Sequence, residues 1–390
     1  MIPSENPTQA PAEIRAESIA APLPIPAAVP RRRSLVILGI IGIVAAALVV
    51  LMVVTYVVAG LGVLAFTIAG VLALVPLVIV FLGVRWIDRW EPEPRAALVF
   101  AFLWGAGVAV AVALLVGAEI DSVLASIGGS AGEFFGAVIE APIVEESAKG
   151  FGILMLFWFA RKHFDGPVDG LVYAATIAGG FAFTENILYF GQALTESGSL
   201  RGLGELFFIR GLLSPFAHVM FTACTGLLLG LAARRTGALG GIGFFLIGLI
   251  PAIFLHALWN GSLYFVNNFY GYYAIVQFPL FALAVGLVVF LRRREAATTR
   301  ARLGEYAAAG WFNPAEVDVL ATGPGRRAAL TWARQHGVGA AMQQYIRDAT
   351  RLAFARERML SGRDRIGVQA DERELLDSVL RSRLALQGRR

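Results

Sequence analysis

Residues 34–59 read SLVILGIIGIVAAALVVLMVVTYVVA, an unbroken run without a single charge. As a helix this run is about 39 Å long at 1.5 Å per residue, enough to cross a hydrocarbon core about 30 Å thick. Arg31, Arg32 and Arg33 stand directly before it. A secretory signal has an apolar core of only about 7–15 residues and a small-residue cleavage site. This run is longer and offers no convincing site, so it reads as a retained membrane anchor.

The rest of the chain extends that reading. Of 390 residues, 57% are hydrophobic and only 16% charged, whereas a globular domain is roughly 45–50% apolar and about 25% charged. One cysteine, Cys224, excludes a disulfide scaffold. Apolar segments long enough to span recur at 35–59, 61–83, 95–117, 134–160, 170–191, 208–233, 241–264 and 271–291. The expectation is an all-α polytopic membrane protein of about eight transmembrane helices.

Basic residues orient the spans. One set of flanks holds Arg31–Arg33; Arg85, Arg89 and Arg95; Arg161 and Lys162; Arg234 and Arg235; and Arg292–Arg294. The alternate set holds only Arg201 and Arg210. This asymmetry predicts both termini on the cytoplasmic side of a plasma membrane. The formal charge of +5 is concentrated after residue 292, beside apolar segments. That placement argues for a lipid bilayer as partner and against nucleic acid.

Three regions follow. Residues 1–34, rich in Pro and Ala, read as a disordered leader; residues 35–291 as the membrane domain; residues 292–390 as a basic, cytoplasmic helical tail. Within the tail, Asn313-Pro314 is a helix start, and Leu375, Leu376, Val379, Leu380 and Leu384 form a stripe at helical spacing.

Ionisable groups inside apolar spans are costly and are functional candidates by default. Span four carries Glu145, Glu146 and Lys149; span five carries Glu185 and Asn186; spans six and seven carry His218 and His256, with Asn260 one turn beyond. Lys149 lies four residues from Glu145 and three from Glu146, so it pairs with either on one helical face. Counting rise along each span puts the acids and histidines about 6–18 Å below the outer surface. Two acids, two histidines and an amide at one depth make a proton-transfer set or a metal-ligand set. Taken singly, each is equally a packing or hydrogen-bonding residue.

Glu145-Glu146-x-x-Lys149, Phe181-x-x-x-Glu185-Asn186, His218 and His256-x-x-Trp259-Asn260, in that order, resemble the PrsW family of bacterial intramembrane proteases. That family is related to the CAAX-prenyl endopeptidases and CPBP membrane proteins. The loop Asp88-Arg89-Trp90-Glu91-Pro92-Glu93-Pro94 adds to the likeness, which covers about residues 80–291. The resemblance implies cleavage of a membrane-anchored protein near the extracytoplasmic side, an anti-sigma factor being one family substrate. It implies Glu145 as general base, Glu146 and Lys149 as its positioning pair, His218 and His256 as holders of the water, and Asn260 as donor to the oxyanion. In its metal-dependent form His218, His256 and Glu185 or Glu146 would hold zinc or another divalent ion; in its metal-free form glutamate and histidines activate water alone.

Two other readings stand beside it: a non-catalytic scaffold of the same fold, and a proton-coupled transporter with the buried acids as relay. The crowding of polar residues into spans four to seven, without visible repeat symmetry, speaks against the transporter.

Overall fold

The computed structural model describes residues 33–124, 130–161, 164, 166–197, 199–360 and 365–387. The leader before Arg33, and Lys162 among the orienting charges, lie outside these residues. No strand occurs among the described residues.

Two long apolar helices come first, α1 (Arg33–Leu61) and α2 (Val63–Ile87). They are separated by Gly62 at φ +79°, a conformation open to a residue without Cβ. Then α3 (Arg95–Leu103) passes through a π-helical turn, Trp104–Ala109, into α4 (Val110–Leu124). In the same way α5 (Ser130–Phe135) passes through Gly136–Glu140 into α6 (Ala141–Phe159). The remaining membrane helices are α7 (Pro167–Gln192), α8 (Leu200–Phe207) with its π-helical extension Phe208–Leu213, α9 (Ala217–Arg235) and α10 (Gly240–Phe265). A short α11 (Phe269–Tyr272) leads through Tyr273–Gln277 into α12 (Phe278–Ala308).

Seven of the described helices are long and apolar enough to cross a membrane. The eighth expected span is α6, which has 19 residues but carries Glu145, Glu146 and Lys149. It holds its charges inward: all three are buried. Exposed apolar side chains such as Met52, Leu64, Ile250 and Leu283 form the surface suited to lipid.

The hub is α7. Every residue from Pro167 to Phe181 is buried, and its mean hydropathy of 1.3 is well below the 3.2 of α1. A span enclosed by protein on all sides has less need of lipid-soluble side chains, so the polar Thr184, Glu185 and Asn186 are tolerated there. Close approach comes from glycine. A Cβ on Gly226 would lie 2.2 Å from the Gly170 carbonyl oxygen, and one on Gly105 would lie 1.9 Å from that of Ile177. These contacts press α9 and the π-turn after α3 against α7, as small-residue membrane interfaces do.

Span six differs from a single helix over 208–233. It is broken at Ser214-Pro215-Phe216 between the π-helical turn and α9. Pro215 lacks an N–H and disfavours helical backbone at the residue before it. The freed carbonyl of Leu213 accepts from Tyr273 Oη at 2.6 Å, while Ile209 O takes both the N–H of Ser214 at 3.0 Å and its Oγ at 2.7 Å.

Span eight does not end at residue 291, since α12 continues without interruption to Ala308. It feeds a helical module of α13 (Pro314–Leu320), α14 (Gly323–Gln335), α15 (Gly339–Leu360) and α16 (Arg365–Gln387). Asn313 caps α13 as expected, accepting from Ala315 N at 2.9 Å, while Glu316 accepts from Asn313 N at 2.8 Å. Val379 reaches the module's core with Leu375 and Leu376 against it, but Leu384 at the end of the stripe is exposed.

Candidate active site

Four helices bring the charged residues together. Glu145, Glu146 and Lys149 come from α6, Glu185 and Asn186 from α7, His218 from the first turn of α9, and His256 from α10. The break at 214–216 places His218 beside α7 instead of leaving it inside a continuous helix.

Glu146 is the most enclosed of the acids and has both oxygens engaged. Its Oε1 lies 2.6 Å from Lys149 Nζ and 3.0 Å from His256 Nδ1, and its Oε2 accepts from Thr222 Oγ1 at 2.8 Å. An ionised carboxylate only accepts, so His256 carries its proton on Nδ1 and turns the lone pair of Nε2 outward. That lone pair faces Glu145 Oε2 at 3.9 Å. Glu145 is held loosely, with Lys149 Nζ at 3.4 Å. The two adjacent acids therefore differ in kind. Glu146 is a fixed anchor, while Glu145 keeps free acceptor capacity.

His218 is held from both sides. Its Nε2 is 2.8 Å from Glu185 Oε2 and its Nδ1 is 3.2 Å from Lys149 Nζ. The ammonium can only donate, so the proton of this ring is on Nε2 and is given to Glu185. The two imidazoles meet edge to face at 5.1 Å, with Phe221 stacked on His256 at 5.0 Å.

Arg210 is a member of the cluster that sequence reasoning missed. Counted there as a flanking charge, it lies 2.5 Å from Glu185, donates to Asn186 Oδ1 at 3.0 Å, and stacks over Tyr189 at 4.0 Å. Thr222 was also missed, although it stands four residues after His218 on the same face of α9; that spacing was available as a signal. For Arg210 there was none, because its contacts are 24 and 25 residues distant.

Asn260 is placed differently from its expected role. Its Nδ2 donates to the Ala137 carbonyl at 2.8 Å, tying α10 to the π-turn before α6. Glu185 likewise serves His218 and Arg210. The group whose ligand atoms all lie within 4.8 Å of one another is Glu145, His218 and His256. Two imidazoles and one carboxylate are a donor set suited to zinc in a catalytic, three-ligand arrangement, and the Glu146 carboxylate behind His256 is the outer partner such a ligand usually has. In donor chemistry these residues fit a divalent ion.

The cluster opens to a cleft. Pro76 and Val80 of α2, Gly179 and Phe183 of α7, His218 and Trp259 line it, with Arg210 and Asn186 at its wall. A buried set of carboxylates and imidazoles at a cleft inside an all-helical membrane body is a set that an intramembrane hydrolase can use. Residues 93–284 match the PrsW-protease family, described as "PrsW family intramembrane metalloprotease". Over this segment the chain is similar to the PrsW-family proteases. Protease PrsW of Bacillus subtilis is 29% identical over 201 residues, covering 51% of this chain and 84% of the relative. The Geobacillus kaustophilus protein of that name is 32% identical over 145 residues, 37% of this chain and 58% of the relative. That of Clostridioides difficile is 31% identical over 158 residues, 40% and 62%. The chain thus spans less than two thirds of the latter two. No solved structure matches it.

Proposed function

We propose that this chain cleaves a peptide bond of a membrane-anchored protein near the extracytoplasmic side, with Glu145, His218 and His256 as the catalytic group. The observation that carries this reading is the convergence of those three ligand atoms within 4.8 Å, beside a cleft that His218 itself lines. A single-span protein such as an anti-sigma factor is the substrate class. The bacterial plasma membrane is the location, with both termini cytoplasmic.

The chemistry follows from the free valences. The lone pair of His256 Nε2 and the carboxylate of Glu145 accept the two hydrogens of one water. Glu145 takes a proton as the water oxygen attacks the scissile carbonyl carbon, and returns it to the departing amide nitrogen as the C–N bond breaks. Glu146 fixes the His256 tautomer. Glu185 and Arg210 fix the orientation of His218. Asn260 keeps one amide hydrogen beyond its bond to Ala137, and so retains a minor capacity to donate to the oxyanion. In the metal-dependent form, zinc or another divalent ion held by Glu145, His218 and His256 would take the His256 Nε2 lone pair in place of the water hydrogen. It would supply Lewis acidity, polarising the carbonyl and activating water near neutral pH, with the second oxygen of Glu145 left as the base.

The test is to express the chain with the single-span membrane proteins of its host and map new peptide termini. Wild type should generate termini within or near a span, and Glu145→Ala, His218→Ala and His256→Ala should each remove them. Intact substrates bound equally by wild type and variants, with no new termini, would instead identify a scaffold.

A further inference from the structure

His218 has no free nitrogen. Its Nε2 is bonded to Glu185 at 2.8 Å and its Nδ1 receives Lys149 Nζ at 3.2 Å. An imidazole nitrogen has one lone pair in the ring plane, which is either shared with a hydrogen-bond donor or given to a metal, never both. Ligation through His218 therefore requires one of the two bonds to open. Opening the Glu185 bond would strip Glu185 of one partner and turn the ring's proton towards Lys149, an ammonium that cannot accept it. Opening the Lys149 bond leaves the tautomer and the Glu185 anchor as they are.

Lys149 is also equipped to let go. Its ammonium is fully buried, and its three hydrogens meet Glu146 at 2.6 Å, His218 at 3.2 Å and Glu145 at 3.4 Å. The shortest of these bonds is to Glu146, which lies outside the ligand trio. The ammonium also lies 4.3 Å from the centroid of the Phe181 ring. A cation released from His218 and Glu145 keeps Glu146 and an aromatic face to rest on. Three carboxylates, Glu145, Glu146 and Glu185, surround two cations, Lys149 and Arg210, so with all three ionised the cluster holds one negative charge in excess even with the ammonium in place.

We infer that Lys149 is a tethered cation holding the place of the metal, and that a divalent ion binds only when the ammonium leaves the lone pair of His218 Nδ1. This rests on the metal-dependent form of the proposed function. The ammonium occupies two of the three ligands while the ion is away, which keeps the carboxylates from facing one another uncompensated. The same arrangement lowers the affinity of the site for metal, because each binding event must displace a resident charge.

The test uses full-length protein stripped with chelator in detergent, titrated with zinc against a chromophoric chelator. Lys149→Met and Lys149→Gln, checked for folding by gel filtration and thermal melting, should bind zinc at least about tenfold tighter than wild type. His256→Ala should lose binding. Wild-type affinity in both lysine variants would overturn the inference while leaving the metal reading intact. Absence of zinc from wild type and every variant would overturn the metal reading and the inference with it. A second measurement avoids the variants. In wild type carrying 15N-labelled histidine, zinc should shift the Nδ1 resonance of His218 and leave its protonated Nε2 in place. Ligation through Nε2 would overturn the inference.

Discussion

Glu145 and Glu146 are neighbours in sequence with opposite duties, and the difference comes from which side of α6 each faces. Glu146 meets Lys149, His256 and Thr222 at 2.6–3.0 Å. Removing one partner of a buried ion pair costs about 3–5 kcal/mol. Glu146→Ala is therefore expected to lower the melting midpoint sharply or to prevent folding, read by gel filtration in detergent. Asn260 has a structural bond as well. Its bond to Ala137 predicts that Asn260→Ala costs about 0.6–2 kcal/mol and lowers cleavage less than tenfold. A large loss of rate at an unchanged midpoint would return the amide to the chemistry. The motif residues were legible because an ionisable group in an apolar span stands out against its background. Arg210 was not, since a basic residue near a span end has an ordinary explanation in topology.

At the scale of elements, hydropathy alone located seven of the spans, because length and apolarity are properties of local sequence. Their interruptions were less visible. The break at Ser214–Phe216 lies in a stretch whose composition still suits the bilayer, and Tyr273 from a different segment satisfies the carbonyl it frees. The glycine pattern carried more information. Gly226-x-x-x-Gly230 has the spacing of a close-packing helix face, and it forms the seam where α9 meets α7. Gly226→Leu must force that seam apart, since even a Cβ would lie 2.2 Å from the Gly170 oxygen. The expected result is loss of folded protein in detergent, with Gly243→Leu, where nothing lies within 4 Å, as the tolerated control.

At the scale of the whole molecule, the loop 88–94 joins tail to membrane body. Arg326 of the tail stacks on Trp90 at 3.6 Å and donates to its carbonyl at 2.9 Å, and Trp90 Nε1 donates to Thr299 at 3.0 Å. From the other end of the loop, Glu93 takes the hydroxyl of Tyr173 on α7. The charge pattern alone described the tail as basic and helical. It said nothing of Arg326 being buried against an aromatic ring 236 residues away. Burial raises the Asp88 carboxyl from 3.8 to about 6. Its folded form thus binds the proton more tightly, so stability falls as pH rises from about 4 to about 6 and stays reduced above. Asp88→Asn keeps an acceptor for the Glu93 N–H and removes that loss. Its melting midpoint at pH 7 to 8 should exceed wild type by an amount equivalent to at most about 3 kcal/mol. Glu93, also raised by burial and by Asp169, keeps a residual slope in both proteins.

The most direct measurement is the cleavage rate of an identified single-span substrate in proteoliposomes by wild type, Glu145→Gln and His256→Ala. Both variants keep a polar or small residue in place and should be compared at equal folded concentration. If Glu145 is the base and His256 its partner on one water, each rate falls by about 10²–10⁴-fold, and the double variant is scarcely slower than either single one. Cleavage by Glu145→Gln at the wild-type rate would contradict the assignment of the active site.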